Sequence, residues 1–128
     1  MDKLDKDSVI GISALLVHAA NIDEIYSEHE KDLIKIFIKS YLKESNENQI
    51  LEKAEEIEKN SNQLLNYTNI IKENSFEIKK NIIEHLWKVI ISDKTVDQYE
   101  SNLMRRICGL IYFPDKESAE IKLKLMNK

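Results

Sequence analysis

Residues 16–30 read LVHAANIDEIYSEHE, and residues 86–100 read LWKVIISDKTVDQYE. The second segment repeats the pattern of the first at one constant offset, which carries Asp23 to Asp93 and Glu30 to Glu100. Each segment combines an apolar stretch, an acidic turn and the start of another helix. The offset is too long for a solenoid repeat, so the pattern predicts two related helical hairpins that pack face to face about an approximate two-fold axis.

The composition of the whole chain also predicts helices. Its 128 residues include only two glycines and one proline, although a protein built from short strands needs many such turn residues. Hydrophobic residues make up 42% and charged residues 33%, a balance typical of a folded domain with a densely charged surface. We therefore expect an all-α bundle of about six to seven helices, forming one domain over residues 1–128, in which the third and fourth helices bridge the hairpins.

Polar residues mark where the helices should begin, and apolar periodicity marks their buried faces. The predicted N-caps are Ser8, Ser27, Asn46, Ser75 and Asp97. The first helix is apolar on most sides and should be central, with Trp87 of the fifth helix buried against it and its indole N–H at a rim. Predicted buried faces include Leu33, Ile34, Ile36, Phe37 and Tyr41 in the second helix and Ile50, Leu51, Ala54 and Ile57 in the third. A turn is expected at Pro114, before the last helix.

Charge and cysteine content exclude several classes of function. The net charge of −4 argues against nucleic acid as a partner, because phosphate contacts require a basic surface. The single cysteine, Cys108, cannot form an internal disulfide and fits the cytoplasm, as does the absence of a secretory signal or a transmembrane stretch. The lysines of the last segment allow weak contact with an anionic membrane surface, diluted by Glu117 and Glu120. Nothing indicates the oligomeric state.

The repeated acidic motif has two interpretations. In the first, Ser27 with Glu30 and Asp97 with Glu100 are capping boxes, in which the cap side chain and the Glu satisfy free backbone N–H groups. Asp23 and Asp93 would then close the preceding turns. In the second, the six oxygen-bearing residues hold a divalent cation, calcium or magnesium, because these ions bind clustered oxygen ligands. The candidate metal ligands are Asp23, Ser27, Glu30, Asp93, Asp97 and Glu100. Neither turn matches the twelve-residue calcium loop, and Lys94 adds a positive charge to the second turn.

The remaining reactive side chains do not form a catalytic group. His18, His29 and His85 are far apart in sequence, and the first and last of them lie in apolar helices where packed or rim histidines are common. His29 stands between two glutamates and should be solvated. Cys108 is expected to be a buried, unreactive thiol. No glycine-rich phosphate loop is present, so we expect no enzymatic activity.

The chain resembles a bacterial family of tellurite resistance proteins, the TerB family, and most closely its short, stand-alone branch. The resemblance covers residues 16–30 and a longer, more specific stretch from 65 to 125. The stretches that carry it are Tyr67-Thr68, residues 84–89, residues 93–100 and residues 103–110.

The resemblance implies an all-α bundle with repeated helical hairpins, and acidic turns proposed to bind metal. It also implies a role in the response to tellurite, metal ions or general stress, exerted by binding rather than by a defined reaction. Because related domains occur beside chaperone-type J domains, the alternative is a metal-free protein–protein interaction module with an unidentified protein partner. The family usually has Gly where this chain has Glu24 and Lys94, and this loss makes the turn less suited to cation binding.

Overall fold

The computed structural model describes residues 4–21, 26–43, 46–60, 64–91 and 98–127, apart from the side chains of residues 64–66 and 98–100. Within these ranges the chain forms seven α-helices and no strand, which confirms the predicted all-α fold. The helices are α1 (Lys6–Ala20), α2 (Glu28–Tyr41), α3 (Glu47–Asn60), α4 (Leu64–Lys72), α5 (Phe76–Ile91), α6 (Gln98–Ile111) and α7 (Asp115–Met126). None of them is long and apolar enough to cross a membrane.

Helix α1 lies at the centre of the fold, as its all-round apolar sequence predicts. It packs against α2, α3, α4 and α5. Eleven of its fifteen residues are buried, including every residue from Val9 to Val17. Helix α5 supplies a second buried row, formed by Ile78, Ile82, Leu86 and Ile90. These two helices therefore carry half of the buried hydrophobic residues, and the outer helices cover them with amphipathic faces.

The helix starts agree with the sequence at three of the five predicted caps. Ser27 caps α2, the Asn46 side chain accepts from the N–H groups of Asn48 and Gln49, and the Ser75 hydroxyl accepts from Ile78 N–H. The prediction of Ser8 was wrong. Asp5 caps α1, because its carboxylate reaches the Ser8 N–H at 2.7 Å, and hydrogen bonds from Ser8 lower the pKa of the Asp5 carboxyl. Asp97 lies outside the described residues.

Helix boundaries recur at the offset of the sequence repeat. Helix α2 begins at Glu28 and ends at Tyr41, and α6 begins at Gln98 and ends at Ile111, so both boundaries are shifted equally along the chain. The starts of α1 and α5, at Lys6 and Phe76, differ by that same offset. These helix boundaries are therefore shifted along the chain by the same number of residues as the repeated sequence segments. The two-fold relation between the hairpins stays a prediction.

Two isoleucines predicted to be buried are exposed. Ile36 of α2 is 58% exposed and Ile57 of α3 is 40% exposed, so the prediction was wrong for both. Ile36 lies one residue before the buried Phe37 and points away from the core, because the apolar stripe of α2 is narrower than its run of apolar residues suggests. Ile57 is one turn beyond the buried Ala54, at the edge of a groove that no described helix fills.

Trp87 is buried, as predicted, but its indole N–H does not lie at a rim. The indole is 4% exposed, and its Nε1–H donates to Ser118 Oγ of α7 at 2.9 Å. The N–H is therefore inside the protein rather than at a rim. Helix α7 reaches this position because α6 ends at Ile111 and Pro114 starts a new helix. The Phe113 N–H closes α6 by donating to the Cys108 carbonyl.

Candidate functional site

The first acidic turn ends in a complete capping box. Glu30 N–H donates to Ser27 Oγ at 3.2 Å, and Ser27 N–H donates to Glu30 Oε1 at 2.8 Å. The Ser27 hydroxyl also donates to Glu30 Oε1, at 3.0 Å. Glu30 is only 7% exposed, so this carboxylate belongs to the folded interior of the turn. The capping interpretation is confirmed for the pair formed by Ser27 and Glu30.

Tyr26 covers the entrance to this capping box. Its ring lies under the Lys31 ammonium, with Nζ 5.0 Å from the ring centroid, where a hydrophobic staple would place an apolar side chain. Burial raises the pKa of Tyr26 most. Its hydrogen bond with Glu55 and the charges of Glu55, Glu30 and Glu28 raise the pKa further. The turn thus gathers negative charge from α2 and α3 around one phenol.

The side chains of the other four predicted metal ligands lie outside the described part of the structure. Asp23 precedes α2 in the undescribed residues 22–25, and Asp93 and Asp97 fall within residues 92–97. Glu100 lies in the first turn of α6, and its side chain is not described. The structure therefore brings Ser27 and Glu30 together and places none of the other four. Among the described side chains there is no group of three His, Cys, Asp or Glu residues able to hold a metal ion.

A groove lies between α1, α3 and α4. It has a volume of about 570 Å³, within the range typical of ligand sites. Its floor is apolar, and its rim carries two carboxylates and one ammonium. The lining residues are Asp7, Ile10, Gly11, Lys53, Glu56, Ile57, Tyr67 and Ile70. A side chain at Gly11 would overlap Ile70, so this glycine allows α4 to approach α1 closely beside the groove.

Sequence reasoning missed this groove. The sequence feature that could have indicated the groove is Ile57. It continues the apolar row of α3 and was therefore predicted to be part of the core. A periodic apolar residue that no neighbouring helix covers looks the same in sequence as a core residue. The groove becomes apparent only from the way in which α1, α3 and α4 pack together.

The histidines and the cysteine behave as predicted. His85 is buried beside the Phe37 ring at a centroid distance of 5.1 Å, and burial lowers its pKa to about 4. His18 lies 3.8 Å from a Glu58 oxygen, across the contact between α1 and α3. Cys108 is 1% exposed, and burial raises the pKa of its thiol to about 11, so at neutral pH it is a protonated and poor nucleophile.

Comparison with known proteins gives one positive result. The family described as Tellurite resistance protein TerB matches residues 10–123, almost the entire chain. No curated protein and no solved structure matches the chain significantly. The matched region includes all of α2 to α6, both acidic turns and most of the groove.

Proposed function

Because the chain belongs to the TerB family of tellurite resistance proteins, we propose that it is a non-enzymatic bacterial protein of the tellurite, metal or general stress response that acts by binding. The family match over residues 10–123 carries the stress-response part of this proposal. The described side chains support binding over catalysis. Their most perturbed groups, Tyr26, His85 and Cys108, are buried and separate from one another, with no nucleophile placed beside a base.

The groove between α1, α3 and α4 is the surface through which we propose that a partner binds. Ile57 supplies an exposed apolar contact at its edge, and Ile10, Tyr67 and Ile70 supply an apolar floor. Apolar surface of this kind, rimmed by polar groups, is typical of a protein-binding site.

The charges on the rim indicate the kind of partner. Asp7 and Glu56 are both exposed and outnumber Lys53. Opposite charges on two binding surfaces increase the rate of association and fix how the two surfaces are aligned. The expected partner is therefore a protein segment in which an apolar side chain enters the groove and a neighbouring lysine or arginine faces the two carboxylates.

Site-specific photo-crosslinking in bacterial cells tests this surface. We expect a benzophenone amino acid at position 57 to capture a partner during tellurite exposure, and the captured segment to contain an apolar residue beside a basic one. The same amino acid at position 36 is the matched control, because Ile36 is also exposed but lies on α2, away from the groove. Equal capture at both positions, or none at position 57, would contradict the proposal.

A divalent cation at the acidic turns is the second candidate function. The observation in its favour is the Tyr26 hydroxyl, which is buried close to the carboxylates of Glu55, Glu30 and Glu28. Calcium or magnesium would bind oxygen ligands from Ser27, Glu30 and the undescribed Asp23, with Asp93, Asp97 and Glu100 as the equivalent set. The capping hydrogen bonds already made by Glu30 Oε1 weigh against this candidate.

A further inference from the structure

A second concave surface lies between α5, α6 and α7, on other elements than the groove of α1, α3 and α4. This cleft has a volume of about 260 Å³. Trp87 forms part of its wall together with Met104, and Ser101 adds a hydroxyl. The lining also includes two cationic side chains and one anionic side chain, Arg105 from α6 and Lys122 and Asp115 from α7, together with Ser118 and Ala119 of α7.

The charged groups of the cleft have no ionic partners in the described part of the chain. The described ion pairs involve other residues, so no described carboxylate lies within 4 Å of the Arg105 or Lys122 nitrogens. Lys122 Nζ instead lies over the Trp87 ring, 5.2 Å from its centroid. Asp115 likewise has no described cation within 4 Å, although it shares the cleft with both.

We propose that this cleft binds a small 2-amino or 2-hydroxy carboxylic acid with an apolar side chain. The carboxylate pairs with Arg105 and Lys122, since a guanidinium recognises a carboxylate through two parallel hydrogen bonds. Asp115 accepts a hydrogen bond from the amino or hydroxyl group, and the exposed Ala119 and the edge of Trp87 contact the apolar side chain.

The size and charge of the cleft determine this ligand class. Its volume is below the range of about 300–1,000 Å³ that holds drug-sized molecules, so the ligand is small. A phosphate dianion would carry more negative charge toward Asp115 than a monocarboxylate does, so repulsion disfavours it. A ligand with one carboxylate and one donor matches all three charged groups.

Trp87 is the single tryptophan of the chain, so its fluorescence reports directly on this cleft. The test is a titration of the full-length protein with L-leucine, L-methionine and L-phenylalanine, followed by Trp87 emission and by calorimetry. We expect a saturable change with at least one of them, because the bound carboxylate draws Lys122 away from the ring. The comparison ligands are 4-methylpentanoate, which lacks the amino group, and inorganic phosphate.

Variants locate the binding site. Arg105→Gln and Asp115→Asn should each weaken binding about tenfold or more, because each removes a charge-assisted hydrogen bond. The matched control is Arg106→Gln on the same helix, since Arg106 is exposed and does not line the cleft. Circular dichroism melts of all three confirm folding. The proposal is overturned if none of the amino acids binds, if phosphate alone binds, or if Arg106→Gln weakens binding as much as Arg105→Gln.

Discussion

At the scale of single residues, the sequence predicted that Trp87 is buried but did not predict which residue its indole N–H contacts. Its position in an apolar helical row predicted burial, because periodic apolar residues face a core. Its partner Ser118 is far away in the chain and was not predictable, since the Trp87–Ser118 hydrogen bond depends on how α7 folds back onto α5. The same holds for His85, whose burial followed from its helix although its contact with Phe37 did not.

Two substitutions of Trp87 should distinguish how much its volume and how much its hydrogen bond contribute to the free energy of unfolding. We expect Trp87→Ala to lower the free energy of unfolding by about 3–5 kcal/mol, because it leaves a large cavity. Trp87→Phe should lower it by about 1–2 kcal/mol, because it keeps a ring but removes the donor to Ser118. Denaturant unfolding followed by circular dichroism measures both. A loss below about 1 kcal/mol for Trp87→Ala would show that the indole is not part of the core.

His85 should make stability depend on pH. Its pKa is about 4 in the folded chain against an ordinary value of 6.5, so the unfolded chain binds an extra proton between these values. The neutral imidazole of His85 therefore makes its full contribution to the free energy of unfolding above pH 6.5. This contribution is lost as the pH falls toward 4. Burial is the main cause of the low pKa. Lys88 lowers it further and Glu84 partly opposes this.

Urea unfolding at pH 7 and pH 5 measures this dependence. Between these two values, His85 should contribute a loss of about 2 kcal/mol to the wild-type free energy of unfolding. His85→Gln removes this contribution, whereas His29→Gln should retain it, because His29 is exposed. The same pH dependence in wild type and His85→Gln would contradict the assignment.

At the scale of helices and turns, local rules predicted most of what is seen. Ser27 and Glu30 form the capping box that their spacing indicates, because both hydrogen bonds are made within one helical turn. The start of α1 was misplaced because two residues, Asp5 and Ser8, are both good caps and the sequence alone does not rank them. The groove was not predictable, since it depends on how α1, α3 and α4 pack against one another rather than on any local pattern.

The choice between capping and metal binding at the second turn rests on Asp97. Capping predicts that Asp97→Ser changes stability little, because Ser27 fills the equivalent position in the first copy. It also predicts no effect of calcium or magnesium on the melting temperature. A metal site would instead raise the wild-type melting temperature with added cation, by a free energy of RT ln(1 + [L]/Kd), and Asp97→Ser would reduce this rise.

Differential scanning calorimetry with and without each cation distinguishes the two. We expect the capping outcome, because the sequence of the second turn includes the positive charge of Lys94 and because Glu30 is already engaged in the first copy. Asp32→Ser, an exposed carboxylate on α2, controls for the general loss of negative charge. A cation-dependent rise that is present in wild type and in Asp32→Ser but absent in Asp97→Ser would establish the metal site.

At the scale of the whole molecule, the fold class was predictable because composition and periodicity agree. Two glycines, one proline and a succession of apolar stripes leave few alternatives to a helical bundle. The recurrence of helix boundaries at the offset of the sequence repeat fits a duplicated hairpin. The proposed function belongs to this scale as well, because the groove is built from three helices and the cleft from three others.

Survival of tellurite exposure is the most direct test of the central claim, that this chain serves a stress response by binding a partner in the groove of α1, α3 and α4. A bacterial strain lacking the gene would be complemented with wild type, Ile57→Glu or Ile36→Glu, expressed at equal levels. The account predicts that wild type and Ile36→Glu restore survival and that Ile57→Glu does not, because a carboxylate at the groove edge is strongly hydrated and removes the apolar contact that the partner needs. Full rescue by Ile57→Glu, or equal survival of the strain with and without the gene, would contradict it.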